Sequence, residues 1–235
     1  MTKSAGIVIP TTGNPIVFNA VKSALNQSYE NVIVYLVIDG KEYSSIQHQI
    51  TERPKLKVYY LPENTGKNGQ NGHRIYSAFS FLVNTDYIFY LDQDCFYDNN
   101  HVQSCVETLE SNNYDWVYSL RKIVNNKGEY ICNDDCESLG PYTPLFDYNL
   151  VDTNCYALKI EIARLVAPHF IGTWGHDRRY LAILLEHFKH FTGTGQYTVN
   201  YRMGGFDNKV NEDFFIHCNK LVRQKYNNDF PWRKM

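Results

Sequence analysis

Short apolar runs alternate with amphipathic stretches through the first half of the chain. Gly6–Ile9 is a β-branched run that stops at Pro10, the pattern of a buried strand entering a loop, TTGNP. Pro15 opens the next stretch, and from Ile16 to about Gln27 the apolar Val17, Ala20, Val21, Ala24 and Leu25 share one face at helical spacing. Proline suits a first helical turn because its missing N–H would have no partner there. Val32–Ile38 predicts a second strand, ended by Asp39-Gly40, and Leu56–Leu61 a third, closed by Pro62. The Gly/Asn-rich segment ENTGKNGQNG leads into a helix from about His73 to Val83, and Tyr87–Leu91 reads as the fourth strand. Strands alternating with helices at short spacing predict an α/β fold, a Rossmann-like, mainly parallel sheet with flanking helices on both faces.

The second half is less regular. The spacing predicts a helix over Asn99–Leu109 after an Asp-Asn-Asn cap, and a hairpin of Trp116–Val124 with Glu129–Cys132 around Asn126-Lys127-Gly128. Ser138–Asn149 is rich in Pro, Tyr and Asp and reads as loop. Asn154–Leu158 predicts a strand feeding a helix at Ile160–Val166. Arg178–Phe188 predicts a strong helix with Tyr180, Leu181, Leu184, Leu185 and Phe188 on its apolar face. Residues Gly193–Asn211 read as loop and Glu212–Tyr226 as a last helix. No linker, repeat or low-complexity segment interrupts the chain. The expectation is one continuous domain over residues 1–235, a nucleotide-type half to about residue 98 and an acceptor-type half from about residue 99.

Composition narrows the function classes. A chain of 235 residues with 43% hydrophobic residues can bury a full core. Lys and Arg total 23 against 25 Asp and Glu, giving a net charge of −2 with no basic run, which argues against nucleic-acid binding as the main task. The 19 tyrosines suit half-buried positions and could line a polar groove. Six cysteines form no zinc-type pair of C-x-x-C motifs; only Cys132 and Cys136, in CNDDC, lie close together. No apolar segment reaches the roughly 18 residues of a membrane span. MTKSAGIVIP carries no signal-type run, so the expectation is a cytoplasmic protein with reduced thiols.

Ligands of parallel α/β sheets collect at the carboxyl ends of strands. Thr11, Asp39, Asn64 and Asp92 all stand just past expected strand ends. The fourth strand runs into Asp92-Gln93-Asp94, a D-x-D whose carboxylates can meet one hard divalent cation when the chain bends off the strand. Taken alone the tripeptide is equally a polar turn; its place after the fourth apolar strand favours the metal reading.

These segments resemble the inverting family 2 glycosyltransferases of GT-A fold. The resemblance is carried by IVIPTTGNP after the first strand, ALNQSYENVIVYLVIDG across the second, LPENTG after the third and YIFYLDQDC at the fourth. It covers residues 5–100 well and extends more loosely to about residue 190. It implies a nucleotide-sugar donor, UDP-linked by default, with Pro10, Thr11 and Thr12 lining the nucleoside pocket and Asp39 bonding base or ribose. Where the family has two acids before the glycine, Ile38 replaces the first; Asp39 could also be a plain Asp-Gly turn. Asn64, Lys67, Arg74 and Gln93 fall in segments that meet the donor diphosphate or sugar, with Lys67 open to a reading as solvated loop and Arg74 earlier than the family spacing. Asp92 and Asp94 would hold Mn²⁺ or Mg²⁺. The family's Glu-Asp pair appears as His176-Asp177 in GTWGHDRRYL, which implies Asp177 as the base and Trp174 and His176 as acceptor or sugar contacts. Helix capping by Asp177 and plain packing by Trp174 are the competing readings. A helix N-terminus would keep Asp177 ionised. The family's Y-R-x-H stands here as Tyr201-Arg202-Met203-Gly204, without the histidine, and His217 is the candidate to replace it as a metal ligand or else a core position.

The expected partners are the donor and a glycan, lipid-linked glycan or other hydroxyl acceptor. Two rival readings stay open at this point. A sugar-phosphate nucleotidyltransferase would want a Gly-rich first loop with nearby Arg and Lys, whereas TTGNP has one glycine. A catalytically silent carbohydrate-binding protein would have no need of Asp92, Asp94 and Asp177 together.

Overall fold

The computed structural model describes residues 2–50, 53–173, 175–204 and 211–234, with the side chains of 43–45 and 47 excepted. The elements in chain order are β1 (Ala5–Thr11), α1 (Val17–Leu25), β2 (Val32–Ile38), β3 (Leu56–Tyr60), α2 (His73–Leu82), β4 (Tyr87–Tyr90), β5 (Phe96–Tyr97) and α3 (His101–Ser111). There follow β6 (Trp116–Val124), β7 (Tyr130–Asn133), β8 (Tyr156–Lys159), α4 (Ile160–Val166), α5 (His176–His187), β9 (Phe191–Arg202) and α6 (Glu212–Tyr226).

Continuous apolar runs make strands buried on both faces. All seven residues of β1 are buried, and β2 is buried at every position but Ile33. The strands join in one sheet of order β3-β2-β1-β4-β8-β6-β9-β5, with β7 added beside β6. The first four run parallel, as the alternation predicts. Beyond β4 the sheet turns mixed: β8 lies antiparallel to both β4 and β6, and β9 returns parallel to β6. The β6–β7 hairpin forms as expected.

One expectation fails here. Residues 193–202, read as loop, belong to the twelve-residue strand β9. Gly193 and Gly195 were the misleading signal. They sit where the β6–β9 register slips, between the pairs Tyr118–Gly193 and Leu120–Tyr197, so they mark a bulge inside a strand rather than its absence. Gly195 has φ +66°, and a Cβ there would lie 2.9 Å from the Arg233 carbonyl oxygen. Among the described residues no helix is long and apolar enough to cross a membrane.

Candidate active site

The carboxyl ends of β1, β2 and β4 open into a cavity of about 440 Å³ whose wall includes Thr11, Asp39, Asp92, Asp94, Asp152 and Asp177. Five carboxylates therefore share one cavity in a chain of net charge −2.

Asp39 follows β2 directly and is buried, 2% exposed. Its Oδ1 accepts from the Thr65 N–H at 2.7 Å and the Thr65 hydroxyl at 2.8 Å, and its Oδ2 accepts from the Gly66 N–H at 2.8 Å. The acid thus orders the Gly/Asn-rich loop, and a simple Asp-Gly turn does not describe it. Gly66 has no alternative, since a Cβ would lie 2.4 Å from the Asn71 carbonyl oxygen and 3.0 Å from Asp39 Oδ2. Gly72 at the start of α2 packs so closely that a Cβ would lie 2.7 Å from Pro10 Cγ.

Gln93 ties the first loop to the D-x-D. Its Oε1 accepts from the Thr11 hydroxyl at 2.7 Å and the Thr12 N–H at 3.2 Å, and its amide donates to the Thr12 hydroxyl at 3.3 Å. Asp92 is held from two sides. The Tyr76 hydroxyl donates to Oδ1 at 2.7 Å and the Asn154 amide to Oδ2 at 2.9 Å, while Asn154 Oδ1 accepts from the Asp92 N–H at 2.6 Å. Burial, with the neighbouring charges of Asp94 and Asp152, pushes the Asp92 carboxyl up to about 7. Asp94 is also raised, chiefly by burial.

Asp152 sits in a one-turn segment before β8. It accepts from the Asn154 N–H at 3.0 Å and the Asn154 amide at 2.7 Å, and from Arg121 Nη1 at 2.7 Å. Arg121 is itself buried on β6 and ion-paired to Asp134 at 2.8 Å and Glu137 at 2.6 Å. Across the cavity Asp177 lies in the first turn of α5, its Oδ1 accepting from the Arg178 N–H at 2.8 Å. The helix end does not win: burial raises the Asp177 carboxyl above its ordinary range, against the pull of Arg178 and His73. A carboxylate raised in this way accepts a proton more readily than one held down by a helix dipole.

The donor set fits a hard divalent cation. It offers the carboxylate oxygens of Asp92 and Asp94 side by side on one cavity wall, both raised chiefly by burial. Among the described residues no three His, Cys, Asp or Glu side chains form a preformed metal cage. A cation there would take Asp92 and Asp94 from the protein and the rest of its shell from water and phosphate.

The family model described as "Glycosyl transferase family 2" matches residues 6–143. The chain belongs to that family. It is a glycosyltransferase of GT-A fold. No curated protein sequence matches it. Among solved structures it is similar to residues 1–349 of S. aureus TarS in complex with UDP-GlcNAc, at TM-score 0.65 and 14% identity over 96% of this chain and 67% of that one. The same TarS piece in complex with UDP gives TM-score 0.63 and 12% identity over 96% and 66%. Full TarS gives 0.65 and 13%, with only 40% of its length covered. At these identities the likeness is one of fold. This chain spans about two thirds of the TarS piece.

Of the residues expected at the glycosyltransferase site, the cavity brings together Pro10, Thr11, Asp39, Asp92, Gln93, Asp94 and Asp177. Thr12 touches it through Gln93. Asn64 is half-buried just before Thr65, outside the wall, and Lys67 is exposed. Arg74 is exposed and donates to the Thr65 carbonyl at 3.4 Å, outside the wall. Its neighbour His73 lines the cavity instead, with Nδ1 2.8 Å from the Gly172 carbonyl oxygen. His176 is half-buried outside the wall, its ring packed over Gly172 where a Cβ would overlap it. Trp174 lies outside the described residues. His217 does not join the acids: it is exposed on α6, because Phe215 and Cys218 occupy the inward face.

The sequence assigned no role to Tyr76, Asp152 or Asn154, and none to Arg202 beyond its place in the partial Y-R-x-H. Asp152-Thr153-Asn154 carried a signal, the Asx-type spacing that starts a short turn before an apolar strand. Arg202 ends β9, buried at 4% exposure, its Nε donating to the Asp94 carbonyl at 2.9 Å.

Proposed function

We propose that the chain transfers a sugar, of N-acetylhexosamine type, from a UDP-linked donor to a hydroxyl acceptor with inversion at the anomeric carbon, in a metal-dependent reaction. One observation carries the reading: Asp39, Asp92, Asp94 and Asp177 line one cavity at the carboxyl ends of a GT-A sheet. The similar TarS structures, complexes with UDP and UDP-GlcNAc, support the choice of donor.

Pro10, Thr11 and Thr12 form the wall for the nucleoside, and Asp39 offers it the carboxylate lone pairs left over from Thr65 and Gly66. Asp92 and Asp94 would hold Mn²⁺ or Mg²⁺, which when bound would neutralise a diphosphate and make it a better leaving group. Tyr76 and Asn154 fix the Asp92 carboxyl so that it needs no rearrangement to bind. Asp177 takes the proton of the acceptor hydroxyl as that oxygen attacks the anomeric carbon. The new glycosidic bond forms as the bond to the diphosphate oxygen breaks, and its electron pair leaves with UDP. No covalent enzyme intermediate is required.

A panel of nucleotide-sugars tests the reading through metal-dependent release of the nucleotide diphosphate. UDP release with added Mn²⁺, stronger than GDP or CMP release from matched donors, is the expected result. Equal or absent release across the panel would overturn it.

A further inference from the structure

Behind the D-x-D turn lies a second cavity of about 370 Å³, between α1, β5 and the β6–β7 turn. Its charged lining consists of Lys22, Lys127 and Arg202, with no acid among its wall residues. The donor cavity, by contrast, is lined by five aspartates and shares only Arg202 with it. Two adjoining cavities of opposite charge meet at one buried guanidinium.

Arg202 is fixed for this position. Its Nε donates to the Asp94 carbonyl at 2.9 Å and its Nη1 to the Asn126 carbonyl at 2.8 Å. Gly128, at φ +85°, lets the turn pass close beside it: a Cβ there would lie 3.3 Å from Nη1 and 3.4 Å from Nη2. Lys22 and Lys127 make no ion pair among the described residues. Two of the carbonyls at or just past the C-terminal end of α1, which would repel an anion, already accept hydrogen bonds. The Gln27 amide donates to Ser23 O at 3.0 Å, and the Asn99 amide donates to Asn26 O.

We propose that this cavity is an oxyanion subsite that takes a phosphate group, with Lys22 and Lys127 as its open jaws and Arg202 as its fixed floor. Its contact with the donor cavity through Arg202 makes two sources natural: a phosphate carried by the acceptor beside the transferred sugar, or free inorganic phosphate. Lysine serves phosphate as a mobile point charge and arginine as a planar fork, and the cavity holds both kinds. The inference rests on the glycosyltransferase reading only for the first source; phosphate binding itself does not depend on it.

The test is a titration followed by amide NMR on the whole chain, with inorganic phosphate, glycerol 3-phosphate and the diester glycerophosphoglycerol as separate probes. Saturable shifts confined to Ser23, Asn26 and Gly128 are expected. The double variant Lys22→Glu/Lys127→Glu should weaken binding at least tenfold, while Lys57→Glu/Lys220→Glu, an equal change of charge on exposed residues elsewhere, should change it less than twofold. UDP affinity, measured with Mn²⁺, should be unaltered in both variants. A diester that binds at least as tightly as inorganic phosphate assigns the site to an acceptor phosphate; inorganic phosphate binding tenfold tighter assigns it to the free ion. Absence of saturable shifts, or equal loss in the two double variants, overturns the subsite. Failure of UDP release in the donor panel with phosphate binding intact would instead overturn the function and leave the subsite standing.

Discussion

The phenolic hydroxyl of Tyr76 donates to Asp92 Oδ1 at 2.7 Å, so a residue in the first turns of α2 sets the orientation of the acid that follows β4. A hydrogen bond to a carboxylate in a half-dry site stabilises by more than one to water, about 1.5–3 kcal/mol. Tyr76→Phe keeps the ring in contact with Tyr90 and Phe170 and removes only that bond. Metal-dependent UDP affinity should fall about tenfold by calorimetry and the melting temperature by several degrees, since the bond both orients the acid and stabilises the fold. Unaltered affinity would mean Asp92 does not act on the diphosphate.

Asp177→Asn keeps the size of the side chain and removes its basicity. If Asp177 accepts the acceptor proton, turnover should drop by about 10²–10⁴-fold, the usual range for a general base. UDP and Mn²⁺ binding should remain within about twofold, because neither ligand needs this carboxylate in the proposed reaction. Turnover at the native rate would remove the base assignment.

The pH dependence follows from the same side chain and its neighbour across the cavity. Asp177 is raised by burial, so the acid limb of the pH–rate profile should lie above the ordinary carboxylate range near 4. Activity should climb as pH rises through that limb, because only the ionised form can accept a proton. Asp92, at about 7, gives the stability sign. It is protonated in the folded state at pH values where the unfolded chain has already ionised. Metal-free stability should therefore fall as pH rises from about 4 to about 7. Added Mn²⁺ should reverse that fall at pH 8 and do little at pH 5, a contrast that thermal melts at the two pH values will show.

Much of this site could be read before the fold was known because strand ends are written locally. Ile38-Asp39 and Leu91-Asp92 are changes from apolar to acidic within two residues, and parallel strands place such junctions at one edge. Asp177 was singled out through the likeness of GTWGHDRRYL to the family's Glu-Asp segment, and the fold brings it to the same cavity. What escaped were residues whose role depends on pairing far along the chain. Asn154 meets Asp92 across 62 positions, and Arg202 meets Asp94 across 108. Asn154 stands in the Asx-type spacing after Asp152 and Arg202 in the partial Y-R-x-H, yet neither local pattern names its distant partner. His217 misled for the opposite reason: a histidine on a helix has no address until the helix face is known. That face turns Cys218 and Phe215 inward and leaves the imidazole exposed.

Asp39 separates two explanations of the loop that follows β3. Asp39→Ala would strand the Thr65 and Gly66 N–H groups, both within 2.8 Å of the lost carboxylate. Stability should fall by about 1–3 kcal/mol, the penalty for unpaired buried donors, and UDP affinity should fall with it. Asp39→Asn discriminates further. It can still accept from Thr65 through its amide oxygen, yet it presents an N–H₂ to the Gly66 N–H, so it should recover part of the stability and little of the affinity. Full recovery of UDP binding in the asparagine variant would show that the carboxylate serves loop order alone.

Arg121 tests how the acids around β6 and the turn before β8 are held together. Its guanidinium meets Asp134, Glu137 and Asp152 at 2.8, 2.6 and 2.7 Å, all with little exposure, while the Tyr201 ring lies 4.4 Å from it. Arg121→Met keeps the length of the side chain and leaves three carboxylates without their common cation. Removing one partner of a buried ion pair typically costs about 3–5 kcal/mol, and this one serves three. The melting temperature should fall sharply at neutral pH and partly recover as pH drops, because protonating the stranded acids relieves their repulsion. The donor cavity should report the same change, since Asp152 lines it and is held at its back by Arg121. UDP binding by Arg121→Met should therefore weaken even at temperatures where the variant is fully folded. A variant as stable as the native chain, or one equally unstable at every pH, would show that this arginine packs without compensating the charge around it.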